Sequence, residues 1–153
     1  MFNVVLVEPE IPPNTGNIAR LCLATRSKLH LVKPLGFSVD DRRLRRAGLD
    51  YWDEVDIEYW EGFAEFEAAT RPPSRRFLLT TKSKRRYWDA DFREGDYLVF
   101  GRETKGLPES FLLSHPDDCL TIPMAPEARS LNLATAVAVI LFEGVRQLHH
   151  NGD

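Results

Sequence analysis

The chain is poor in the residues that staple, coordinate or anchor a fold. Its 153 residues include two cysteines, Cys22 and Cys119, each inside an apolar segment. That excludes a disulfide framework and reads as buried free thiols in a reducing compartment. The histidines, His30, His115, His149 and His150, show no metal-ligand spacing with cysteine or carboxylates, so no metal is expected. No apolar run approaches the roughly 20 residues that a bilayer-spanning helix needs. The N-terminus, MFNVVLVEPE, has neither the basic start nor the small-residue cleavage site of a signal peptide and reads as a first strand. A cytoplasmic protein with no membrane contact is expected. Phosphate-binding signatures are missing too. There is no GxGxxG, and the pair Gly101 and Gly106 is followed by Leu107-Pro108 where a P-loop needs Lys-Ser/Thr. Dinucleotide and nucleoside triphosphate readings are disfavoured. With no repeat and no linker, residues 1–153 read as a single domain.

What is present is a set of short apolar runs. Hydrophobic residues make up 43% of the chain, enough to build a core. Strands are expected at Val4–Val7, Leu29–Val32, Phe77–Leu79, Tyr97–Phe100 and Cys119–Ile122, with a weaker one near Val55–Ile57. Several of these runs are continuous rather than alternating, which suits a parallel sheet buried on both faces. Helices are expected from an Asn14 N-cap to about Thr25, over Asp40–Ala47 with Gly48 as its stop, over about Trp60–Ala69, in a short turn from Pro108 to Leu113, and from near Leu131 to about His149. The pattern is that of an α/β fold with a mainly parallel sheet of about five or six strands flanked by helices.

The stretch Ile122–Phe142, IPMAPEARSLNLATAVAVILF, is the most informative. An apolar strand end runs into a polar loop carrying Arg129, Ser130 and Asn132, then into a helix apolar on every side from Leu133 to Phe142. Such a helix must be buried all round. A polar loop between two buried elements is a natural ligand pocket in an α/β protein. Backbone groups at Ile122 and Met124 could bind an adenine edge there. Two further loops carry chemistry. In PEIPPNTGNIAR, Asn17 and Arg20 share one helix face, and Arg20 could clamp a phosphate. In YLVFGRETKGLP, a strand ends at Gly101, and glycines there let the backbone approach a ligand. Each loop also has an ordinary reading, as a capped amphipathic helix or a glycine turn.

Charge is concentrated rather than balanced. The net charge is −3. Residues 47–70 hold eight acids and no Lys or Arg, residues 71–86 hold seven basic residues and no acid, and Arg42, Arg43, Arg45 and Arg46 form a further basic block. These blocks read either as solvated faces or as the footprint of a nucleic-acid backbone.

Taken in order, the three loops resemble the motifs of the SPOUT (α/β-knot) RNA methyltransferases. The segments are Asn14–Arg20, Phe100–Gly106, and Ile122–Met124 with Arg129–Leu133. EPEIPPNTGNIARL, DDRRLRRAGLDYW and FGRETKGLP resemble the small branch that methylates the tRNA wobble ribose and lacks an appended RNA-binding domain. The resemblance implies a C-terminal deep trefoil knot that binds S-adenosylmethionine, leaving S-adenosylhomocysteine as product. By position, Leu79, Gly101, Ile122 and Ser130 should contact the cofactor, with Met124 and Leu131 nearby. It also implies a homodimer packed through the last helix and the Asn14–Arg20 helix, with Arg20 facing cofactor held by the other chain.

Arg20 is then the expected catalytic residue, as a phosphate clamp that stabilises the developing alkoxide. Asn17, Arg42, Arg43, Arg45 and Arg46 are the expected RNA contacts, with Lys82, Lys84, Arg85 and Arg86 second. Asn14, Glu103, Gly106 and Asn132 are expected to orient the site. Tyr51 or Trp52 could stack on a base or pack in the core. The expected substrate is the anticodon stem-loop, with cytidine or modified uridine at the wobble position, in tRNA-Leu isoacceptors. Ribosomal RNA, or a non-catalytic RNA-binding role, are the alternatives. Three positions depart from the branch: Arg102 where Pro is frequent, Ala134-Thr135 in place of a Ser-Asn type pair, and Phe142 where Tyr is frequent.

Overall fold

In the computed structural model, which describes residues 1–47 and 51–151, the first strand, β1 (Asn3–Val7), shows how the molecule is layered. Val4 and Leu6 point to one face of the sheet, and Val5 and Val7 to the other. All four are buried. Alternate residues of a strand face opposite ways, so a strand apolar throughout must be covered on both sides.

The remaining elements are α1 (Pro12–Thr25), β2 (Lys28–Val32), α2 (Arg42–Ala47), β3 (Ile57–Trp60), α3 (Phe63–Ala69), β4 (Arg76–Leu79), β5 (Tyr97–Phe100), α4 (Glu109–Ser114), β6 (Cys119–Leu120) and α5 (Leu133–Asn151). The strands form one sheet in the order β3-β2-β1-β5-β4-β6, and every pairing is parallel. On one face Val4, Leu6, Leu29, Leu31, Leu98 and Phe100 meet α1 (Ile18, Ala19, Cys22), Leu44 of α2 and α5 (Val137, Ile140, Leu141). On the other, Val5, Val7, Val32, Leu78 and Val99 meet Phe66 of α3 and Leu107 and Leu112 around α4.

Several element boundaries differ from the sequence reading, each for a local reason. Asn14 does not cap α1. The helix starts earlier, with Pro12 and Pro13 in its first turn, where a missing N–H costs nothing, and Ile11 at the cap. The weak strand lies at Ile57–Trp60 rather than Val55–Ile57, because its register beside β2 pairs Leu29 with Ile57 and Val32 with Trp60. Trp60 therefore belongs to the sheet, and α3 begins only at Phe63. Strand β6 stops at Leu120, which leaves Ile122 free of the ladder. Helix α2 begins at Arg42 rather than Asp40, and its expected stop, Gly48, lies outside the described residues. Helix α5 starts at Leu133, where Asn132 Oδ1 accepts hydrogen bonds from the amides of Ala134 and Thr135 at 2.9 and 3.4 Å. Asn132 is its cap.

Helix α5 is not buried all round within one chain. Val137, Ile140 and Leu141 are fully buried, yet Phe142 is 47% exposed and Thr135 is exposed. A single sheet covers only one side of a helix, so the other side of this apolar helix faces outward.

Candidate active site

Strand order reverses at β1. The chain runs outward through β2 and β3 on one side, and β5, β4 and β6 lie on the other. In a parallel sheet the loops leaving the carboxyl ends on either side of such a point diverge and open a crevice. A cavity of about 680 Å³ lies there. Ile11 and Asn14 come to it from the β1 side and Leu79–Lys82 from the end of β4. The loop after β5, from Gly101 to Leu107, supplies its floor. Ile122 and Met124 follow β6, and Arg129–Leu133 lead into α5. The three chemistry-bearing loops of the sequence thus meet in one place.

Gly101 and Gly106 make the β5 loop possible. The amide of Gly106 donates to the carbonyl of Arg102 at 2.9 Å, closing a tight turn. A Cβ on Gly101 would sit 2.1 Å from the Gly106 carbonyl carbon and 2.2 Å from the Leu107 nitrogen. No side chain fits against that backbone. Gly106 has φ +66°, the left-handed region that glycine enters at little cost.

This loop is laced to the segment after β1, because β1 and β5 are neighbours in the sheet. Arg102 donates through Nε to Glu8 at 2.8 Å, and its Nη2 joins the same carboxylate. Glu103 accepts from the amides of Glu10, at 3.1 Å, and Ile11, at 2.5 Å. Thr104 returns the contact, with its hydroxyl 2.7 Å and its amide 3.2 Å from Glu10 Oε1. Those hydrogen bonds hold the Glu10 carboxyl below its ordinary range. Burial pushes the Glu103 carboxyl up, outweighing the two amides it accepts. Sequence reading singled out Glu103 but missed Glu8, Glu10 and Thr104. Their signal was the parallel neighbourhood of two polar loops, which only the sheet order reveals.

Of the expected cofactor contacts, Leu79, Gly101, Ile122, Met124, Ser130 and Leu131 all line the cavity. Leu79, Ile122, Leu131 and Leu133 give it apolar walls. Among the described residues, the amides of Ile122 and Met124 donate to no backbone carbonyl. Of the orienting residues, Asn14 is buried and its Oδ1 accepts from Asn132 Nδ2 at 2.9 Å, tying α1 to the start of α5. Lys82, Lys105 and Arg129 add positive charge to the rim.

Arg20 and Asn17 do not reach this cavity. Both are exposed and line a separate groove with Leu21, Ala24, Tyr51, Ala134, Thr135 and Ala138, between α1 and α5. Within the basic block, Arg43 pairs with Asp41 at 3.1 Å. Arg45 pairs with Asp53 at 3.1 Å, donates to the Val39 carbonyl and lies over the Trp52 ring. Trp52 is a core residue, at 5% exposure, and Tyr51 faces outward. Arg42 and Arg46 are exposed, with no ion pair among the described residues. Among these residues, no group of three His, Cys, Asp or Glu is placed to hold a metal ion.

Comparison with known proteins gives this geometry a context. The model of the SpoU rRNA methylase family matches residues 1–142. A tRNA (cytidine(34)-2'-O)-methyltransferase from Burkholderia cenocepacia is 50% identical over 154 aligned positions, covering 99% of each chain. A solved structure described as giving insight into the 2-OH methylation of C/U34 on tRNA superposes with a TM-score of 0.93. It has 47% identity and covers 98% of this chain and 97% of its own. The SpoU methyltransferase AviRb from Streptomyces viridochromogenes, solved in complex with AdoMet, superposes at a TM-score of 0.83 with 26% identity. That match covers 97% of this chain and 60% of the other.

Proposed function

The chain belongs to the SpoU methylase family, and from that premise we propose that it transfers a methyl group from S-adenosylmethionine to the ribose 2′-hydroxyl of nucleotide 34, the wobble position of tRNA. The observation that carries this reading is the carboxyl-edge cavity, built by the three expected loops, in a chain 50% identical across its length to a tRNA C34 2′-O-methyltransferase.

The cavity suits the cofactor. Its apolar walls and the backbone amides at Ile122 and Met124 match an adenine ring with a polar edge. The tight turn at Gly101–Gly106 places its backbone in the cavity lining at the β5 end. S-adenosylmethionine supplies a methyl group already activated by its sulfonium, so positioning carries much of the rate.

The protein's task is then to hold the ribose hydroxyl in line, so that its oxygen takes the methyl group while the hydroxyl proton passes to water and S-adenosylhomocysteine is released. A guanidinium offers hydrogen-bond donors and no acceptor, so Arg20 serves as a clamp, not a base. It holds the adjacent phosphate and stabilises charge developing on the ribose oxygen. Glu103 is also unsuited to proton abstraction, because both its oxygens are engaged by the amides of Glu10 and Ile11. It orders the loop instead.

Arg20 lies outside the cavity of its own chain, which supports a site completed by a second copy. The outward face of α5, with Phe142 47% exposed, and the adjoining α1 groove are the surfaces we assign to that homodimer. We also assign the trefoil threading to residues 121–133. The chain leaves β6 at the sheet edge there and returns to pack α5 against β5 and α1. No helix among the described residues is long and apolar enough to cross a membrane, and a cytoplasmic site of action, alongside tRNA, completes the proposal.

The test uses two anticodon stem-loop RNAs, identical except for ribose or 2′-deoxyribose at nucleotide 34. Methyl transfer to the ribose form alone is expected. Equal transfer to both would move the reaction to another atom and overturn the assignment.

A further inference from the structure

The segment Lys82–Asp89, after β4, is absorbed by neither the cofactor cavity nor the α1–α5 groove beyond its first residue. It carries Lys82, Lys84, Arg85 and Arg86, followed by Tyr87 and Trp88. Backbone pairing fixes it beside the site. The amide of Thr121 donates to the Arg85 carbonyl at 2.8 Å, and the amide of Tyr87 donates to the Thr121 carbonyl at 2.9 Å. Ser83 adds a hydroxyl bond to the Cys119 carbonyl at 3.1 Å. Both ends of this arrangement touch the cavity, since Lys82 and Ile122 line it.

Tyr87 turns inward and packs against the core. Trp88 stays outside, 48% exposed. Its ring meets that of Tyr87 edge-on with centroids 5.2 Å apart. The Arg86 guanidinium lies 5.4 Å from the Trp88 ring, and its Nε donates to the Asp89 carboxylate at 2.9 Å. A lone exposed aromatic is ordinary. This one is held from two sides, among cations, on a segment whose first residue, Lys82, lines the cavity.

Resting on the tRNA reading above, we propose that Trp88, with Arg86 beside it, is a stacking platform for a base of the anticodon loop that neighbours the methylated nucleotide. Loop RNA offers unstacked bases, and these are read by stacking on aromatic rings and guanidinium planes. Lys82, Lys84 and Arg85 would meet the phosphates on either side. Tyr87 is anchored at Thr121, so Trp88 lies on the order of 10 Å from the cavity wall. A nucleotide adjoining the reacting ribose can reach it. The platform binds RNA and takes no part in methyl transfer, so it acts on KM and not on kcat.

The experiment measures methyl transfer to a synthetic anticodon stem-loop by the full chain and by its Trp88→Ala and Trp88→Phe variants. Trp88→Ala is expected to raise KM for RNA about 10-fold, the loss of one stacked base. Its kcat and its affinity for S-adenosylmethionine should stay within about twofold of the parent. Trp88→Phe should retain most of the RNA affinity. With an abasic nucleotide placed at each loop position in turn, the effect of Trp88→Ala should vanish at one position, which identifies the stacked base. Tryptophan emission provides a second readout. Added RNA should quench it in the parent but not in Trp88→Phe, which keeps Trp52 and Trp60. An unchanged KM in Trp88→Ala, or quenching that persists in Trp88→Phe, overturns the platform while leaving the methyltransferase reading intact. A parent chain that methylates no RNA overturns that reading and the platform with it.

Discussion

His30 sits in β2 at 2% exposure, between the Asn3 side-chain oxygen, 2.9 Å from its Nε2, and Trp60, whose indole N–H donates to its Nδ1 at 3.1 Å. These contacts fit the neutral ring with its proton on Nε2. Burial is the main cause that lowers its pKa to about 4 from an ordinary 6.5, against a smaller opposing pull from Glu58. The unfolded chain therefore binds a proton between those values while the folded chain does not. Stability is full above about pH 6.5 and falls as pH drops toward 4, by at most about 3 kcal/mol. Urea unfolding at a series of pH values should show this loss in the parent chain and a shallower one in His30→Gln.

Gly101 is a sharper case. Gly101→Ala forces a Cβ into the Gly106–Leu107 backbone, so the β5 loop must open. Binding of S-adenosylmethionine, followed by calorimetry, should be lost in this variant while the fold persists. Arg20→Ala makes the opposite split: cofactor binding retained, with turnover reduced at least about a hundredfold. Near-normal turnover would remove Arg20 from the mechanism.

Among the elements, α5 does two jobs with two faces. Its inner face is packed so closely that a Cβ on Gly144 would lie 2.7 Å from the buried Phe2 ring. Gly144→Val should therefore cost about 1–3 kcal/mol in urea unfolding, despite the gain in helix propensity over glycine. The outer face, with Thr135 and Phe142, is left exposed by the described residues of its own chain. Hydrophobic pattern made the strands legible in the sequence, because continuous apolar runs such as that at Val4–Val7 can only be buried on both sides. Helix starts were less legible. Asn14 looks like a cap, yet the two prolines before it are themselves tolerated in a first helical turn. The cavity-lining residues were legible because they flank strand ends. The clamp of Glu8, Glu10 and Thr104 on Arg102 and Glu103 was not, since it depends on β1 and β5 being neighbours although 89 residues lie between Val7, where β1 ends, and Tyr97, where β5 starts. The groove around Arg20 was half legible. Spacing placed Asn17 and Arg20 on one face, but only the packing of α1 on α5 sets that face apart from the cavity.

At the scale of the whole molecule, the carboxyl-edge cavity and Arg20 lie on different surfaces of one chain, and pairing two chains is what would join them. A mixture makes this testable. Arg20→Ala and Gly101→Ala should each be inactive alone. Co-expressed, they form mixed dimers in which one of the two sites combines an intact Arg20 with an intact cofactor loop, and activity should return to about a quarter of the parent level. No recovery would mean that each chain works with its own Arg20. The most direct test of the central claim is transfer of labelled methyl from S-adenosylmethionine to total RNA from cells lacking this protein, followed by nucleoside mapping. The account predicts label as a 2′-O-methyl group at nucleotide 34 of tRNA. Label confined to ribosomal RNA, or to any other tRNA position, would contradict it.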